Sequence, residues 1–373
     1  MLIVAAILAI FVYGMIAAML GTILPDLSKR FSLTPKQNGT IALAQAIGLV
    51  IASLSVGPLI DVQGKKVGLV LGLALITLAL FLLPKSRGFG MIAAYLFVLG
   101  LGGGIIVTGA NALVSDIAPE TRATTLNLLN LFFGLGGLAT PFISANLLAR
   151  DSVKLCYLVA FLTLITLVVH VVAPIPPPAG VVQFQVSQMG DLLSNTGLLL
   201  LSLLLFLYVA SEVGIWNWLA RHLIAQGIAE SRALNILSLG FALGLLVGRV
   251  AVSPILISVP ATQVLLAASV LIAITTFLML QTSKPGAAGF LVFLAGVAMA
   301  PVFPTTLAVV GDRFSQMTAT AMGIAITCGW IGLAASSPLI GAIAGSDPRG
   351  LKRGLLVLPA AGAAMVLVSL ALL

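Results

Sequence analysis

The segment Gly57-Pro-Leu-Ile-Asp61-Val-Gln-Gly64-Lys65-Lys66 is a short polar turn between two long apolar runs of the chain. Gly64 permits a tight turn, because glycine adopts backbone angles that other residues avoid. Asp61 can accept hydrogen bonds from a helix N-terminus or pair with a nearby arginine. Arg122 and Arg313 are candidate partners, since both stand in other polar turns. The pattern predicts two consecutive antiparallel membrane helices joined by a structured turn.

The composition extends this prediction to the whole chain. The 373 residues are 60% hydrophobic and only 8% charged, with a mean hydropathy of +1.22. Soluble domains are about a quarter charged, so a water-soluble fold is excluded. Long continuous apolar runs favour membrane helices over a β-barrel, whose strands alternate in polarity. The net charge of +8 comes from basic residues scattered between the spans, so no nucleic-acid partner is predicted.

Twelve runs are long enough to cross about 30 Å of hydrocarbon. They cover residues 2–26, 40–60, 66–84, 88–117, 122–149, 153–174, 194–221, 231–258, 261–282, 286–311, 316–345 and 351–373. One long, proline-rich connection divides them at the midpoint. We therefore expect an N-terminal six-helix bundle over 1–174, a cytoplasmic linker over 175–193 and a C-terminal six-helix bundle over 194–373.

The two halves of the sequence resemble each other. In the first half, the polar turn Ala118–Arg122 precedes a glycine-rich span that contains Pro141. In the second half, Gly311–Arg313 precedes a glycine-rich span that contains Pro338. Such a repeat is typical of secondary transporters, which place their site between the halves. The fold class predicted is an all-α integral membrane protein with twelve helices in two pseudo-symmetric bundles.

The turn at Gly57–Lys66 fits the pattern G-x-x-x-D-x-x-G-[RK]-[RK], and with it the chain resembles the major facilitator superfamily. The resemblance implies alternating access between the two bundles, and a latch that closes the cytoplasmic side rather than a substrate contact. The latch would comprise Gly57, Asp61, Gly64, Lys65, Lys66, Arg122 and Arg313.

Further segments resemble the fucose–galactose–glucose symporter group, which is similar to fucose permease. They are Phe31–Gly39, Gly109–Asn111, Asn127 with Phe132–Gly134, Tyr208–Leu219 and Phe303–Leu307. The resemblance implies a small neutral sugar as substrate. One departure concerns the acids of the fucose symporter in spans one and four. Gly21 or Thr22, and Val107, stand at the matching places and cannot carry a proton.

The segment Leu207–His222 carries an acid and two indoles inside an apolar span. Glu212 is the only acid of the sequence near the middle of a span, and such residues are functional candidates. Trp216 follows one helical turn later on the same face. A carboxylate beside an indole suits a polyol, whose hydroxyls donate hydrogen bonds while its ring packs on the indole. The alternative is a structural carboxyl group that bridges helices.

The candidate substrate contacts are polar or aromatic residues predicted to lie within spans. They are Gln45, Asn111, Asn127, Asn130, Glu212, Trp216, Asn217 and Thr306. Interhelical hydrogen bonding is the alternative role for the amides. Glu212 is also the proton-coupling candidate, with coupling to sodium or no coupling left open.

These observations predict a monomeric transporter of a small neutral, hexose-like sugar, in contact with lipid in a bacterial inner membrane. The alternative is an exporter of amphipathic or lipophilic compounds on the same fold. An enzyme is not expected, because the two histidines, two cysteines and sparse acids form no catalytic or metal-binding motif. No metal or cofactor is predicted.

The charges conflict with the orientation that the turn signature implies, with both termini cytoplasmic. Only five of the eighteen basic residues would then be cytoplasmic, and thirteen would lie on the other side. The five are Lys65, Lys66, Arg122, Arg249 and Arg313. This distribution is the reverse of the positive-inside rule.

Overall fold

A computed structural model describes residues 1–177, 186–345 and 350–373, with the side chains of 186–188 also outside the description. Within these ranges the chain forms helices and connecting turns, without strands. The first half contains α1 Leu2–Arg30, α2 Pro35–Gln63, α3 Lys65–Leu82, α4 Phe89–Ile117, α5 Arg122–Asn146 and α6 Ser152–Val172. The helix α7, Val186–Ser194, follows within the predicted linker.

The second half begins with a long helix and contains several interrupted ones. Its helices are α8 Thr196–Ala225, α9 Glu230–Asn235, α10 Ala242–Ser258, α11 Ala261–Met279, α12 Pro285–Met299, α13 Val302–Arg313, α14 Thr318–Ala344, α15 Leu351–Leu355 and α16 Val357–Leu372. Twelve segments of the described chain are long and apolar enough to cross a membrane. The prediction of a twelve-span, all-α membrane protein is confirmed, and the observed spans follow the predicted ones closely.

Helix boundaries follow local capping chemistry. Thr34 and Gln37 form a capping box at the start of α2, in which each side chain bonds the backbone of the other. Asp151 caps α6 by accepting from the amides of Val153 and Lys154. These amide bonds, with that of Lys154 the largest cause, hold the pKa of the Asp151 carboxyl below its usual value. Each cap satisfies backbone donors that a helix start leaves without an internal partner.

Three spans of the described second half are interrupted helices, and the twelfth span divides at Leu356 between α15 and α16. The eighth contains a π-helical segment, Ile236–Phe241, between α9 and α10. The tenth breaks between α12 and α13, where Pro301 lacks the N–H that a continuous helix requires. Such segments are frequent at functional sites. The eighth-span segment supplies Phe241 to the candidate site described below.

The described chain divides into two compact units. Unit 1 comprises Met1–Pro119, Leu129–Gln188 and Phe314–Thr327, and unit 2 comprises Glu120–Leu128, Met189–Arg313 and Cys328–Leu373. Unit 1 therefore includes the start of α14, and unit 2 includes the start of α5. The domain boundaries expected from the sequence, at 174 and 194, stay a prediction.

In unit 1, α2 and α4 cross with their backbones in contact. A methyl group on Gly48 would lie 2.3 Å from the carbonyl oxygen of Phe97. A methyl group on Gly100 would lie 2.1 Å from the carbonyl oxygen of Gln45. Both distances are far below van der Waals contact, so the crossing requires glycine at both positions.

Unit 2 repeats this crossing at equivalent positions. A methyl group on Gly244 would lie 2.3 Å from the carbonyl oxygen of Phe293, and one on Gly296 would lie 2.5 Å from that of Phe241. Each residue number exceeds its unit 1 counterpart by the same offset, 196, as in 244 − 48 and 293 − 97. The sequence repeat therefore corresponds to a repeat in helix packing.

Candidate functional site

Tyr208, Glu212 and Arg249 form a hydrogen-bonded network within unit 2. The Tyr208 side chain is hydrogen-bonded to both Glu212 and Arg249. Tyr208 is 1% exposed and Arg249 is 5% exposed, whereas Glu212 is partly exposed. The tyrosine and the acid lie one turn apart on α8, and the arginine comes from α10. Opposite charges thus meet around one buried hydroxyl inside two membrane-spanning helices.

Trp216 continues the same face of α8, one turn beyond Glu212. Its indole packs edge-on against Phe241, with ring centroids 5.3 Å apart and an interplanar angle of 74°. The indole remains 37% exposed. The predicted carboxylate and indole therefore share one helix face; the indole contacts the eighth span directly, and the carboxylate is linked to it through Tyr208.

Asn217 lies on a different part of α8 and has a different partner. Its side-chain amide donates to the Ser337 hydroxyl at 2.9 Å, and the Trp218 indole N–H lies 3.3 Å from the same oxygen. The hydroxyl belongs to α14. The structure thus gives Asn217 an interhelical role and does not group it with Glu212.

Asn127 lies in the part of α5 that belongs to unit 2. Its amide nitrogen donates to the Thr305 hydroxyl at 3.0 Å and to the carbonyl oxygen of Ala123 at 2.9 Å. The side-chain oxygen of this fully buried residue makes no hydrogen bond within the described chain. Thr306, also buried, donates to the carbonyl oxygen of Val302 at 2.7 Å. The unsatisfied amide oxygen makes Asn127 the stronger candidate for a hydroxyl contact.

Asn111 and Asn130 bond to each other within unit 1. The Asn130 amide donates to the side-chain oxygen of Asn111 at 2.9 Å, and Asn111 donates to the carbonyl oxygen of Val107 at 2.7 Å. Both residues are buried, as is Gln45 on α2. The hydrogen bonds of this pair match the interhelical alternative, and they join α4 to α5.

Asp61 caps the start of α14 within unit 1. One carboxylate oxygen accepts from the Ala319 amide at 3.1 Å, and the other accepts from the Thr320 amide at 2.8 Å and its hydroxyl at 2.6 Å. These amides belong to the first helical turn, whose donors have no partner within the helix. Of the two partners considered from the sequence, a helix N-terminus and an arginine, the structure shows the first.

The glycines of the turn have distinct structural roles. Gly64 has a φ of +96°, a conformation that other residues rarely adopt, as the tight-turn prediction requires. A methyl group on Gly57 would lie 2.5 Å from the Cα of Thr320. Gly57 therefore lets α2 approach the start of α14 closely enough for Asp61 to cap it.

The basic residues of the predicted latch each have a separate partner. Lys65 pairs with Asp116 at 2.5 Å, and Lys66 donates to the carbonyl oxygen of Ala173 at 3.1 Å, both within unit 1. In unit 2, Arg122 pairs with Asp312, and Arg313 donates to the carbonyl oxygen of Leu372 at 2.9 Å. Each of these contacts thus lies within a single unit, unit 1 for the two lysines and unit 2 for the two arginines.

Two predictions for Arg249 disagree, because the predicted span 231–258 contains it whereas the charge count assigned it to a cytoplasmic turn. It lies within α10, buried, nine residues before the last helical residue, Ser258, so the span is confirmed and the charge count is wrong. A lone arginine within a span is itself a signal of a functional site. That signal could have identified Arg249 as a member of the site, linked to Glu212 through Tyr208.

Comparison with known proteins identifies the family. The family model of the Major Facilitator Superfamily matches residues 6–337. The chain belongs to the Major Facilitator Superfamily. The superfamily match and the named relatives are those of transporters, as expected for a chain that is not an enzyme.

Two curated relatives of this superfamily member carry transporter names. A glucose/galactose transporter from Brucella abortus is 29% identical over 265 residues, which cover 65% of this chain and 63% of that protein. A 4-hydroxybenzoate transporter from Pseudomonas aeruginosa is 32% identical over 143 residues, covering 38% of this chain and 32% of the relative. The chain thus spans less than two thirds of the length of either relative.

FucP, the E. coli fucose:proton symporter, has the same fold as this superfamily member in its solved structure in the outward conformation. The TM-score is 0.87, with 100% of this chain and 98% of that one covered. The sequence identity is 18%, so the likeness concerns the fold. It confirms the twelve-helix major facilitator fold predicted from the sequence.

Proposed function

We propose that the protein transports a small neutral, hexose-like sugar by alternating access. The observation that carries the proposal is the Tyr208–Glu212–Arg249 network beside the part-exposed indole of Trp216. A carboxylate accepts from sugar hydroxyls, a guanidinium donates to them, and an indole face packs on the ring. The name of the Brucella relative, a glucose/galactose transporter, supports the same substrate class.

Asn127 is the second proposed contact. Its buried side-chain oxygen is a hydrogen-bond acceptor with no partner in the described residues, so it can accept a hydrogen bond from a substrate hydroxyl. Gln45, Thr306, Asn111 and Asn130 are proposed as weaker contacts, since three of them already have protein partners. Asn217 is weaker for the same reason.

If sugar uptake depends on the proton gradient, we assign the coupling proton to Glu212. In the described residues it is the acid furthest from a helix end, since the nearer end, Ala225, is thirteen positions further along the chain. Sodium-driven and gradient-independent uptake are the other possible outcomes. An exporter of amphipathic or lipophilic compounds on the same fold stays the alternative.

Uptake of labelled hexoses into proteoliposomes tests the proposal, with a proton gradient, a sodium gradient or neither. We expect saturable uptake of at least one hexose, and its gradient dependence identifies the coupling ion. Unchanged proton-driven uptake by Glu212→Gln would remove Glu212 from the coupling role. Thermal stabilisation by lipophilic cations but by no hexose would favour the exporter alternative and sink the sugar proposal.

We also propose that the protein is a monomer in a bacterial inner membrane, with both termini cytoplasmic. The turn signature supports this orientation. With Arg249 inside a helix, the basic residues at that end of the helices are Lys65, Lys66, Arg122 and Arg313. Labelling of single cysteines introduced at Lys36 and Glu120 in intact cells tests it. Labelling at Lys36 but not at Glu120 is expected, and the opposite pattern would reverse the orientation.

A further inference from the structure

Glu212 and Arg249 form a charge-balanced pair through Tyr208 inside the spans of unit 2. Charged groups within a membrane are paired with one another or line a polar cavity, because an unbalanced charge in hydrocarbon is costly. With one negative and one positive group, the network is neutral as a whole. Any ligand that adds a net charge would disturb that balance.

The contacts between α8 and the eighth span fix where Glu212 lies in this network. Tyr208 contacts Arg249 at one level, and Trp216 contacts Phe241 at another. On α8, Trp216 comes eight residues after Tyr208. On the eighth span, their partners follow in the reverse order, because Phe241 comes eight residues before Arg249. The helices are thus antiparallel in a constant register, and Glu212 lies midway, about 6 Å along the axis from each level.

This register gives Glu212 two different neighbours along its helix face. On one side are the hydroxyl of Tyr208 and the guanidinium of Arg249, which are hydrogen-bond donors. On the other side is the part-exposed indole of Trp216, which offers an apolar surface. A ligand that lies along this face from Tyr208 towards Trp216 would contact hydrogen-bond donors, then the acceptor Glu212, and then the ring surface of the indole.

We propose that Glu212 and Arg249 together determine the charge of the substrate, and that their balance selects an uncharged polyol. An anionic sugar would compete with Glu212 for Arg249 and leave a net negative charge within the membrane. A cationic sugar would compete with Arg249 for Glu212 and leave a net positive charge. A neutral sugar donates hydrogen bonds from its hydroxyls to the carboxylate and accepts hydrogen bonds from the guanidinium without changing the charge. This inference rests on the proposed sugar-transport function.

The inference predicts that neutralising one partner reverses the selectivity. Glu212→Gln leaves Arg249 unbalanced, so a hexuronate becomes the preferred ligand. Arg249→Gln leaves Glu212 unbalanced, so a hexosamine becomes preferred. The double variant is neutral again and favours the hexose, with weaker binding because the charge-assisted hydrogen bonds are lost.

The experiment measures ligand-induced thermal stabilisation of the purified, reconstituted protein by a hexose, the matching hexuronate and the matching hexosamine. Competition against labelled hexose uptake is the second measurement. We expect each single variant to shift the ratio of charged to neutral ligand affinity by about tenfold, equivalent to about 1.4 kcal/mol. Glu230→Gln and Arg232→Gln are matched controls at exposed positions of the same unit, and their ratios should stay at the wild-type value.

Hexose binding that weakens in both single variants with unchanged ligand ratios would show a purely structural network and overturn the inference. If Arg249→Gln does not fold, the double variant decides, because it restores neutrality. A double variant that prefers the hexuronate or the hexosamine to the hexose also overturns the inference, since its network is neutral. If the wild type responds to no hexose, the proposed function itself fails, which separates the two failures.

Discussion

Tyr13 in unit 1 and Tyr208 in unit 2 occupy corresponding places but have different surroundings. Both are nearly fully buried, and their numbers differ by 195, one less than the offset of the helix crossings. The Tyr13 ring packs at 5.3 Å against Phe133. Tyr208 instead bonds to Glu212 and Arg249. The repeat therefore preserves the helix framework, whereas the charged network belongs to unit 2.

The residues around the two tyrosines show how the difference arises. With the same offset of 195, Glu212 corresponds to Ala17 in α1. With the crossing offset of 196, Arg249 corresponds to Ser53 in α2. Two substitutions thus distinguish a charged site from an uncharged one on matching helices. The charged residues therefore belong to unit 2, whereas both units share the same helix packing.

The largest expected effect comes from removing the positive charge of the network in unit 2. Arg249→Met should lower the free energy of unfolding by about 3 kcal/mol, because it leaves the Glu212 carboxylate without its charge partner. Glu212→Gln in the same chain should recover most of the loss. Thermal unfolding in lipid nanodiscs measures both. A double variant as unstable as Arg249→Met would show that packing, rather than charge balance, holds this position.

The next effect should be equal in the two units. Gly48→Ala and Gly244→Ala each place a methyl group 2.3 Å from a carbonyl oxygen of the crossing helix. We expect each to destabilise the protein by about 2 kcal/mol through forced separation of the helices. Gly39→Ala, which has no neighbour within 4 Å, is the control. Unequal losses at the two crossings, measured by thermal unfolding, would break the equivalence of the units.

A smaller effect tests the two tyrosines directly. Tyr208→Phe should cost about 1.5 kcal/mol of stability, because it removes hydrogen bonds to charged groups. Tyr13→Phe should change stability by less than about 0.5 kcal/mol, since its described contacts are those of its ring. Unfolding midpoints and hexose uptake of the two variants provide the measurement. Equal losses would show that the Tyr208 network adds nothing to the shared packing.

The smallest effect concerns the helix start that Asp61 caps. The position that corresponds to Asp61, 196 residues later, is the exposed Ile257, so the cap has no charged counterpart in unit 2. Asp61→Asn should destabilise by about 1 kcal/mol, because a neutral amide caps the start of α14 more weakly than a carboxylate. Ile257→Asn should leave stability within about 0.5 kcal/mol. A larger loss at Ile257 would contradict the asymmetry.

The sequence predicted the framework well because long apolar runs, short polar turns and glycine spacing are local signals. The twelve spans, the capping tendency of Asp61 and the requirement for Gly64 all follow from such signals. Pairing partners are not local. The bonds of Asn130 to Asn111 and of Asn127 to Thr305 join residues 19 and 178 positions apart, so only packing decides which amides meet.

The sequence by itself determined the membrane class, the number of spans, the internal repeat and the importance of Glu212. Hydrophobicity and periodicity suffice for these, since the bilayer dictates helix length and penalises charge within it. Only the tertiary structure decided that Arg249 shares Tyr208 with Glu212. That outcome depends on the register between two neighbouring helices, which is set by side-chain packing and by the π-helical segment before α10.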